Sequence, residues 1–537
     1  MRVTAGHDSG SAPWWQTAVV YQIYPRSFAD GNDDGVGDLR GIVDRLDYVE
    51  RLGVDAIWLS PIFRSPMADF GYDVSDYESI DPLFGELADF EELLAGAHAR
   101  GIRVFLDLVP NHTSDEHPWF IESRSSRDGP KRDWYIWHDP GPDGLPNNWE
   151  SFFGGPAWEL DETTGQYYLH LFHRKQPDLN WRNRQVRAAI YEVMRYWLDR
   201  GVDGFRIDVL WLLLKDEEFA DDPEQPPLTG PELVYGRFRP GCEDRPGIQE
   251  IVAEMRQVAD GYDERVLIGE IYLPVDRLVR YYGEELTGIH LPFNFGLVTL
   301  PTWSATAIRD LVEAYEAALP AGAWPNWVLG NHDQPRITTR VGQERSRAAQ
   351  MLLLTLRGTP TCYYGDELGM PDSVIAEEVA LDPQIEAGRS RDGARTPMQW
   401  DAGAGAGFTS AGSTPWLPVD PSYTTINVAA QEADPRSTLA FFRRLTHLRR
   451  ERPGLTVGSI SFVDSHHEDV LSYLREWEGA RILVVLNFGK QPATVDLTEV
   501  STGGLILCAT DMTREGRVEL ARVALQPGQG LVIDIRD

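Results

Sequence analysis

The sequence predicts an eight-stranded parallel β/α barrel of the TIM type, with a subdomain inserted after the third strand and an antiparallel β domain at the C-terminus. Three stretches repeat one order of elements: a helix with apolar residues at helical spacing, a glycine, and a short buried strand. Gly53, Gly101 and Gly201 stand where the three helices would end, a position that glycine favours. Repetition of helix, glycine, strand and loop is typical of parallel βα units.

Eight short β-branched and aromatic runs supply the strands of the barrel. Three of them follow the glycines just named, and the other five lie at residues 18–25, 265–270, 288–295, 326–333 and 360–367. Short runs that are apolar throughout suit strands buried on both faces of a parallel sheet. A doubly wound open sheet is the structural alternative. It would usually carry a glycine-rich phosphate turn after the first strand, and "YPRSFADG" is not such a turn.

Two segments depart from the βα repeat. From Thr113 to Asp178 the chain is rich in Trp, Pro and Gly and includes a predicted hairpin at residues 158–172. From Thr456 onward, alternating strands separated by turns predict a small antiparallel domain, and a helix at residues 439–454 leads into it. The predicted domains are therefore a barrel (1–112 and 179–455), an inserted subdomain (113–178) and a C-terminal β domain (456–537).

Composition and charge exclude several classes of protein. The 537 residues are enough for two or three domains. A formal net charge of −33 opposes binding to nucleic acid and to anionic membranes. No apolar run reaches the ~18 residues that span a bilayer, and the first 16 residues show no apolar secretory segment. Three scattered cysteines without metal-ligand spacing indicate a reducing compartment, so a cytoplasmic location is predicted: Cys242, Cys362 and Cys508.

Polar and charged residues stand at the ends of the predicted strands, where a barrel of this type carries its active site. The residues concerned follow the third, fourth, fifth and seventh strands: His112; Arg206 and Asp208; Glu270; His332 and Asp333. A single acidic residue after a strand is most often the N-cap of the next helix. Three such acids, each beside an Arg, a His or a Gly, favour a shared site instead.

Paired carboxylates at such a site suggest the retaining cleavage of a glycosidic bond. One carboxylate attacks the anomeric carbon and the other protonates the leaving oxygen, which requires the two groups to lie ~5–5.5 Å apart. Arg206, two residues before Asp208, would point to the same side of the strand and keep Asp208 ionised as a nucleophile. Glu270 follows an apolar run, and burial would raise its pKa as an acid requires.

Together these motifs resemble the α-amylase family of glycoside hydrolases, family 13. The strings "DLVPNH", "GFRIDV", "GE" and "GNHD" resemble its four core regions in order, and the match runs from about Trp14 to the C-terminus. Three further strings resemble the branch that contains oligo-1,6-glucosidases, α-glucosidases, trehalose-acting enzymes and sucrose isomerases: "QPDLN" (176–180), "GTPTCYYGDE" (358–367) and "RDGARTPMQW" (391–400). Within that branch the chain looks most like bacterial α-glucosidases.

The resemblance implies a role for each candidate residue. Asp208 would be the nucleophile, Glu270 the acid/base, and Asp333 a third carboxylate that stabilises the transition state. The residues implied to surround the first glucose are Asp69, Tyr72, His112, Phe153, Phe172, Arg206 and His332. Asp69 is implied to pair with an arginine of the "RDGARTP" segment, and Arg391 and Arg395 both stay open. For Phe153 and Phe172 the alternative is an ordinary hairpin core.

The acidic loop "DGNDDGVGD" at residues 30–38 has the spacing of a cation site. Its oxygen-bearing side chains match an EF-hand loop in part, but position 12 is Gly41 in place of a bidentate Glu, and the preceding residues predict a strand. The resemblance implies a structural Ca²⁺, with Mg²⁺ also open, held by Asp30, Asn32, Asp34, Asp38 and the carbonyl of Val36. A solvated acidic turn is the alternative.

The function implied by the resemblance is that of a retaining, exo-acting α-glucosidase on small α-glucosides, which can also transfer glucose to a sugar acceptor. Val209 after the nucleophile favours α-1,6 substrates, whereas "DFGYD" and "GEIYLP" favour mixed linkage, so the linkage stays open. The alternatives are an oligo-1,6-glucosidase, an enzyme that rearranges trehalose or sucrose, and a non-catalytic transporter subunit, which would lack the carboxylates. A nucleotide-dependent enzyme is disfavoured because no phosphate-binding glycine motif lies between a strand and a helix.

Overall fold

The computed structural model describes residues 12–142, 144–223 and 238–535, and it confirms the predicted barrel. Eight parallel strands pair in chain order and close into a ring, the first strand pairing with both the second and the last. They are β1 (Val20–Ile23), β2 (Ala56–Leu59), β3 (Arg103–Leu108), β4 (Gly204–Ile207), β5 (Val266–Gly269), β6 (Leu291–Asn294), β7 (Asn326–Val328) and β8 (Thr359–Tyr363). Seven of them lie within the runs that the sequence indicates, and β8 begins one residue before its predicted run, at Thr359.

The longer helices lie between the strands and pack outside the ring. They are Leu39–Asp44, Leu46–Leu52, Leu87–Ala99, Arg184–Asp199, Ile248–Asp260, Ala305–Ala318 and Gln343–Thr355. Shorter helices are Trp14–Thr17, Pro25–Phe28, Val275–Leu278, Gly296–Thr299, Ile337–Val341 and Val428–Glu432. The predicted glycine ends are confirmed, because Gly53, Gly101 and Gly201 have φ of 74°, 71° and 95°, the left-handed region that favours glycine.

The barrel interior is a packed core below the carboxyl ends of the strands. Trp58, Phe105, Ile268 and Phe293 point inward and are at most 1% exposed. A second and larger apolar layer fills the space between the strands and the outer helices. The strand ends therefore rest on a rigid support, as in other barrels of this type.

The inserted subdomain leaves the barrel after β3 and returns beside its own starting point. It contains a helix (Pro118–Arg124) and a three-stranded antiparallel sheet (Trp137–His138, Trp158–Asp161, Gln166–Leu169). The last two strands form the hairpin that the sequence predicts. His112 and Asp178 pair as an isolated bridge, so the two ends of the insertion lie side by side above β3. The loop after β2 forms a further small sheet, Phe63–Arg64 with Asp76–Ile80.

The C-terminal domain is antiparallel, as predicted. Its six-stranded sheet runs in the order Ser459–Val463, Val470–Trp477, Ala480–Asn487, Gly530–Ile535, Gly503–Ala509 and Gly516–Glu519. Two shorter strands, Ala493–Val495 and Val523–Leu525, pair beside it and close a separate core. The helices Thr438–Glu451 and Pro453–Thr456 connect this domain to the barrel.

Two buried arginines join the C-terminal sheet to the barrel. Arg475 is 0% exposed and donates hydrogen bonds to main-chain carbonyls, including those of Thr355 and Leu455. Arg449 donates to the carbonyls of Leu455 and Gly358. Burial, with the neighbouring Arg449 as a second cause, lowers the pKa of Arg475 to about 9. Both guanidinium groups therefore act as bridges between carbonyls that would otherwise be unpaired inside the junction.

In the part of the chain that the structure describes, no helix combines the length and apolarity needed to cross a bilayer. The three cysteines are buried and free. The N-terminal stretch in which no secretory segment is apparent lies, as far as residue 11, outside the described residues.

Candidate active site

A cavity of about 660 Å³ opens at the carboxyl ends of the barrel strands. Of the predicted catalytic and sugar-binding residues, nine line this cavity: Asp69, Tyr72, His112, Phe153, Phe172, Asp208, Glu270, Asp333 and Arg391. The other three, Arg206, His332 and Arg395, contact its carboxylates from behind. The structure thus brings together all twelve residues.

A second groove of similar size, about 740 Å³, lies between the barrel and the C-terminal sheet. Two of its three carboxylates are already paired with arginines, Glu316 with Arg357 and Glu476 with Arg481, and the third is Glu478. It therefore offers no convergent acids, and the cavity at the strand ends is the candidate active site.

One guanidinium group connects the carboxylates at the ends of three consecutive strands. Nη1 of Arg206, in β4, lies 2.7 Å from Oδ1 of Asp107 in β3 and 2.7 Å from Oδ1 of Asp208. Its Nη2 lies 2.6 Å from Oε2 of Glu270, which directly follows β5. Arg206 and Asp208 point to the same side because residues two apart in a strand share a face. All four side chains are at most 7% exposed, so one buried positive charge serves three acids.

The protonation of these acids follows from their burial. Burial raises the pKa of Asp208 well above its usual value, although Arg206 lowers it. Burial likewise raises the pKa of Glu270 against the effect of Arg206, which is the direction that the sequence predicts. The expectation that Arg206 keeps Asp208 ionised is therefore corrected. The charge of Arg206 is shared with Asp107 and Glu270, and the desolvation of the Asp208 carboxyl group outweighs the attraction of this shared charge.

Asp333 lies in the loop five residues after the end of β7 and has a different set of partners. Its Oδ1 accepts hydrogen bonds from Nη1 of Arg391 at 3.1 Å and from Nη2 of Arg395 at 2.9 Å. Burial alone would raise the pKa of Asp333, but His332 and the two arginines hold that pKa below its usual value. Since burial keeps His332 neutral by lowering its own pKa, the arginines are the permanent source of this effect.

The structure resolves which arginine pairs with Asp69. Nη2 of Arg391 lies 2.7 Å from Oδ1 of Asp69, whereas Arg395 donates to Asp333 and to the main-chain carbonyl of His332. Gln176 donates to the other oxygen of Asp69 at 3.2 Å. Because Arg391 joins Asp69 to Asp333, it lies across one end of the cavity.

Aromatic rings form the wall beside this closed end. Phe153 and Phe172 line the cavity with their ring centroids 5.8 Å apart, so the alternative of an ordinary hairpin core is wrong for both. Phe172 also lies 5.1 Å from the ring of His112, and the guanidinium group of Arg391 sits 5.3 Å from the centre of Phe153. Phe152 stacks on Phe172 at 5.2 Å and extends the same wall.

A stacked pair of rings lies behind the carboxylates. Tyr72 and His332 are parallel to within 2°, with their centroids 5.3 Å apart. The hydroxyl of Tyr72 lies 2.6 Å from Nε2 of His332 and 3.1 Å from Oδ2 of Asp107. Burial lowers the pKa of His112 to about 4, so both histidines of the site are neutral hydrogen-bonding groups.

Sequence reasoning missed several residues of the site. Asp107 lies inside β3, not after it, and Gln176 lies in a string quoted only for its resemblance. Tyr272, which stacks on Phe295 at 4.0 Å and lines the cavity, directly follows the "GEI" of the fifth strand end. Asp382, which contacts Arg391, lies in a loop without any sequence signal.

The acidic loop at residues 30–38 is wound into successive turns. Asp30 accepts hydrogen bonds from the N–H groups of Asp33 and Gly35, and Asp34 accepts one from Val36. Asp38 caps the helix Leu39–Asp44. Among the residues described by the structure, no three His, Cys, Asp or Glu side chains are placed to hold a metal ion. The predicted ligands also include the amide of Asn32 and the carbonyl of Val36, and the Ca²⁺ site stays a prediction.

Comparisons with known proteins agree on one family. The model for "Alpha amylase, catalytic domain" matches residues 22–458, and that for "Maltogenic Amylase, C-terminal domain" matches residues 460–527. An oligo-1,6-glucosidase of Parageobacillus thermoglucosidasius is 40% identical over 97% of this chain and 99% of its own. A probable alpha-glucosidase of Rhizobium meliloti (strain 1021) is 42% identical over 90% and 91%.

Solved structures give the same likeness over the whole chain. The alpha-glucosyl transfer enzyme XgtA is 40% identical with a TM-score of 0.89, covering 98% of this chain and 100% of that one. The trehalulose synthase MutB of Pseudomonas mesoacidophila MX-45 is 36% identical with a TM-score of 0.89 over the same shares.

Proposed function

This chain belongs to the α-amylase family of glycoside hydrolases, and we propose that it is a retaining, exo-acting α-glucosidase that releases terminal glucose from short α-glucosides. The observation that carries the proposal is the buried cluster in which Arg206 joins Asp208 and Glu270 at the floor of a cavity with a closed end. The names of the relatives support the same class of substrate.

The first chemical step is transfer of glucose to the protein. With the proton of the buried Asp208–Glu270 pair on Glu270, the Asp208 carboxylate attacks the anomeric carbon while Glu270 gives that proton to the leaving oxygen, so the glycosidic bond breaks as the ester forms. The raised pKa of Glu270 supports its role as the acid, because a carboxyl group must hold its proton to donate it. Arg206 contacts both carboxylates and would keep them in place through this step.

The second step returns the glucose to water. Glu270, now a carboxylate, takes a proton from a water molecule, and that water attacks the anomeric carbon as Asp208 leaves. Two displacements at one carbon retain the α configuration. A sugar hydroxyl can replace the water, so we infer that some transglucosylation accompanies hydrolysis.

Asp333 is proposed to stabilise the positive charge that develops on the sugar in both steps. The two arginines beside it support this role, because they keep its pKa low and the carboxylate ionised. Hydrogen bonds that the sugar 2- and 3-hydroxyls donate to an ionised carboxylate strengthen in such a transition state.

Exo action follows from the closed end of the cavity. Asp69, Arg391 and Gln176 form a connected set of charged and amide groups there, with Phe153 beside them. Such groups can bind the hydroxyls of a terminal glucose but leave no path for a longer chain. We therefore propose that Tyr72 and His112, which also line this end, contact the same glucose.

Rearrangement of a disaccharide is the second candidate function, because the chain resembles a trehalulose synthase over its whole length. Linkage stays open in either case. Val209 lines the cavity in a left-handed conformation (φ 37°), and its N–H donates to Glu270 at 3.0 Å. This residue therefore lies where the leaving group would sit, which supports its proposed influence on α-1,6 preference.

One incubation tests the proposal and separates the two candidates. The wild type and an Asp208→Asn variant are incubated with maltose, isomaltose, trehalose, sucrose and p-nitrophenyl α-glucoside, and the products are separated. We expect free glucose from the wild type and none from the variant, with α-glucose formed first. Isomerised disaccharides would favour rearrangement, β-glucose would contradict the retaining mechanism, and an inactive wild type would contradict the function.

We also infer a cytoplasmic location and a structural Ca²⁺. The three buried, free cysteines support a reducing compartment. The spacing of Asp30, Asp34 and Asp38 supports the cation.

A further inference from the structure

Asp382 is a buried carboxylate that holds the arginine at the closed end of the cavity. Its side chain is 0% exposed, and it does not line the cavity itself. Nε of Arg391 lies 3.1 Å from Oδ1 and 2.9 Å from Oδ2 of Asp382, and Nη2 lies 2.7 Å from Oδ1. The same guanidinium group reaches Asp69 at 2.7 Å and Asp333 at 3.1 Å. Arg391 thus links one carboxylate outside the cavity to two carboxylates inside it.

The contacts with Asp382 fix the plane of the guanidinium group. An arginine side chain is long and flexible, but its planar fork is immobilised when two of its nitrogens are bound on one side. Asp382 binds Nε and Nη2, which leaves Nη1 directed at Asp333 and the second hydrogen of Nη2 directed at Asp69. The position of the end wall therefore depends on a residue that never meets the sugar.

Asp382 is itself rigidly held. Oδ2 of Asp392 accepts hydrogen bonds from the N–H groups of Leu381 at 2.7 Å and Asp382 at 3.1 Å. Oδ1 of Asp382 accepts one from the N–H of Gln384 at 3.1 Å and so caps the 3₁₀ turn Pro383–Ala387. The N–H of Arg391 also donates to Oδ2 of Asp382, so the segment from 381 to 392 folds back on itself and ties this anchor to the main chain of the arginine.

We propose that Asp382 is a positioning residue that fixes Arg391 as the end wall of the glucose pocket and thereby sets exo action. The inference rests on the proposed function, because it assumes that terminal glucose occupies the closed end. Without the charge of Asp382, Arg391 keeps its two inner partners but loses the anchor that fixes its plane. The terminal glucose then binds less tightly, and longer chains gain a path past the wall.

Asp382→Asn tests the proposal, with Asp420→Asn as a matched control. Asp420 is also a buried aspartate that precedes a proline and caps a 3₁₀ turn (Pro421–Thr424), accepting from the N–H of Ser422 at 2.9 Å. Its side chain contacts Ser373 in place of Arg391. Asparagine can cap both turns, so only Asp382→Asn removes a charge from the end wall.

We expect Asp382→Asn to raise the KM for maltose by roughly tenfold with little change in kcat. The reason is that Arg391 loses its charged hydrogen-bond partner, so the terminal glucose is bound less tightly in the ground state and in the transition state alike. With maltotetraose at early conversion, the variant should release maltose as an initial product of internal cleavage, whereas the wild type should first release only glucose and maltotriose. Asp420→Asn should behave as the wild type in both assays. A KM unchanged in Asp382→Asn, or equal losses in the two variants, would overturn the proposal.

A double-variant cycle tests whether Asp382 acts through Arg391. In an Arg391→Ala background, adding Asp382→Asn should have no further effect on KM, whereas an additive loss would overturn the proposal. Calorimetry measures the affinity for glucose without turnover. This affinity should be weaker in Asp382→Asn and unchanged in Asp420→Asn. An inactive wild type would contradict the proposed hydrolysis, whereas unchanged glucose affinity in Asp382→Asn would contradict the role of Asp382.

Discussion

At the scale of single residues, the distribution of arginines decides which acid can hold a proton. Asp107, Asp208 and Glu270 share the one charge of Arg206, whereas Asp333 alone contacts two arginines. The pKa of Asp333 is accordingly lowered, whereas burial leaves the pKa values of both Asp208 and Glu270 raised. This separation identifies Asp333 as the ionised acid of the site and places the transferable proton in the Asp208–Glu270 pair.

Replacing the carboxylate should lower kcat/KM far more at Asp208 than at its neighbour Asp107. Both carboxylates lie 2.7 Å from the same nitrogen of Arg206, but only Asp208 lines the cavity. We expect Asp208→Asn to lower kcat/KM for maltose by roughly 10³-fold or more, as removal of a nucleophile does elsewhere. The kcat/KM of Asp107→Asn should fall far less. Equal losses in steady-state assays of the two variants would refute the assignment of the nucleophile.

The pH dependence of kcat/KM should report Glu270 on its alkaline side. A general acid must be protonated, so activity falls as pH rises through its pKa, and burial places that pKa above the ordinary ~4.3 of a glutamate. With p-nitrophenyl α-glucoside, whose leaving group needs little protonation, Glu270→Gln should lose this alkaline limb in its initial rates. An alkaline limb that persists in the variant would assign the acid to another residue.

The residues of the site differ in how well the sequence predicts them. Asp208 and Glu270 directly follow short apolar strands, and a local pattern is enough to find them. Asp107 escapes this rule because it lies within a strand. The choice between Arg391 and Arg395 depends on how the 3₁₀ turn that separates them orients each side chain, and no local pattern encodes that.

At the scale of elements, the barrel is predictable because each of its units is marked locally. Glycine after a helix and a short apolar run are properties of neighbouring residues, so the eight strands are found one by one. The two-residue strand Phe63–Arg64 is too short to show any period. The helix before Gly53 breaks at Arg45, whose φ of −107° and ψ of 5° separate two helical pieces that read as one pattern.

The loop at residues 30–38 carries the prediction for the bound cation. We expect metal analysis of the dialysed protein to find about one Ca²⁺ per chain, bound chiefly by carboxylate oxygens. Asp34→Asn should lose this metal, and Asp33→Asn should keep it, because Asp33 stands outside the predicted ligand set. Protein free of divalent metal after dialysis would identify the loop as a solvated turn.

At the scale of the whole molecule, the C-terminal sheet is attached to the barrel through polar groups that are fully buried. Arg475 and Arg449 both donate to the carbonyl of Leu455, so helix ends, connector and sheet meet at one point. A buried carbonyl that loses its donor lowers the free energy of unfolding by its full desolvation penalty.

Arg475→Met should therefore destabilise the whole protein. We expect the free energy of unfolding to fall by about 3–5 kcal/mol, because several buried carbonyls lose their donors together. Arg481→Met, which removes a half-exposed partner of Glu476 on the next strand, should cost about 0–1 kcal/mol. Denaturant melts compare the two variants, and similar midpoints would show that the buried carbonyls find other partners.

The end wall that we propose for Arg391 would make the cavity a blind pocket with a single opening. The remainder of a cleaved chain would occupy that opening, so it must dissociate before the glucose behind it can leave. Each cleavage is then followed by complete release of the chain, and the enzyme works distributively instead of sliding along its substrate. Free glucose that re-enters the pocket would exclude the next chain end, so we expect product inhibition by glucose.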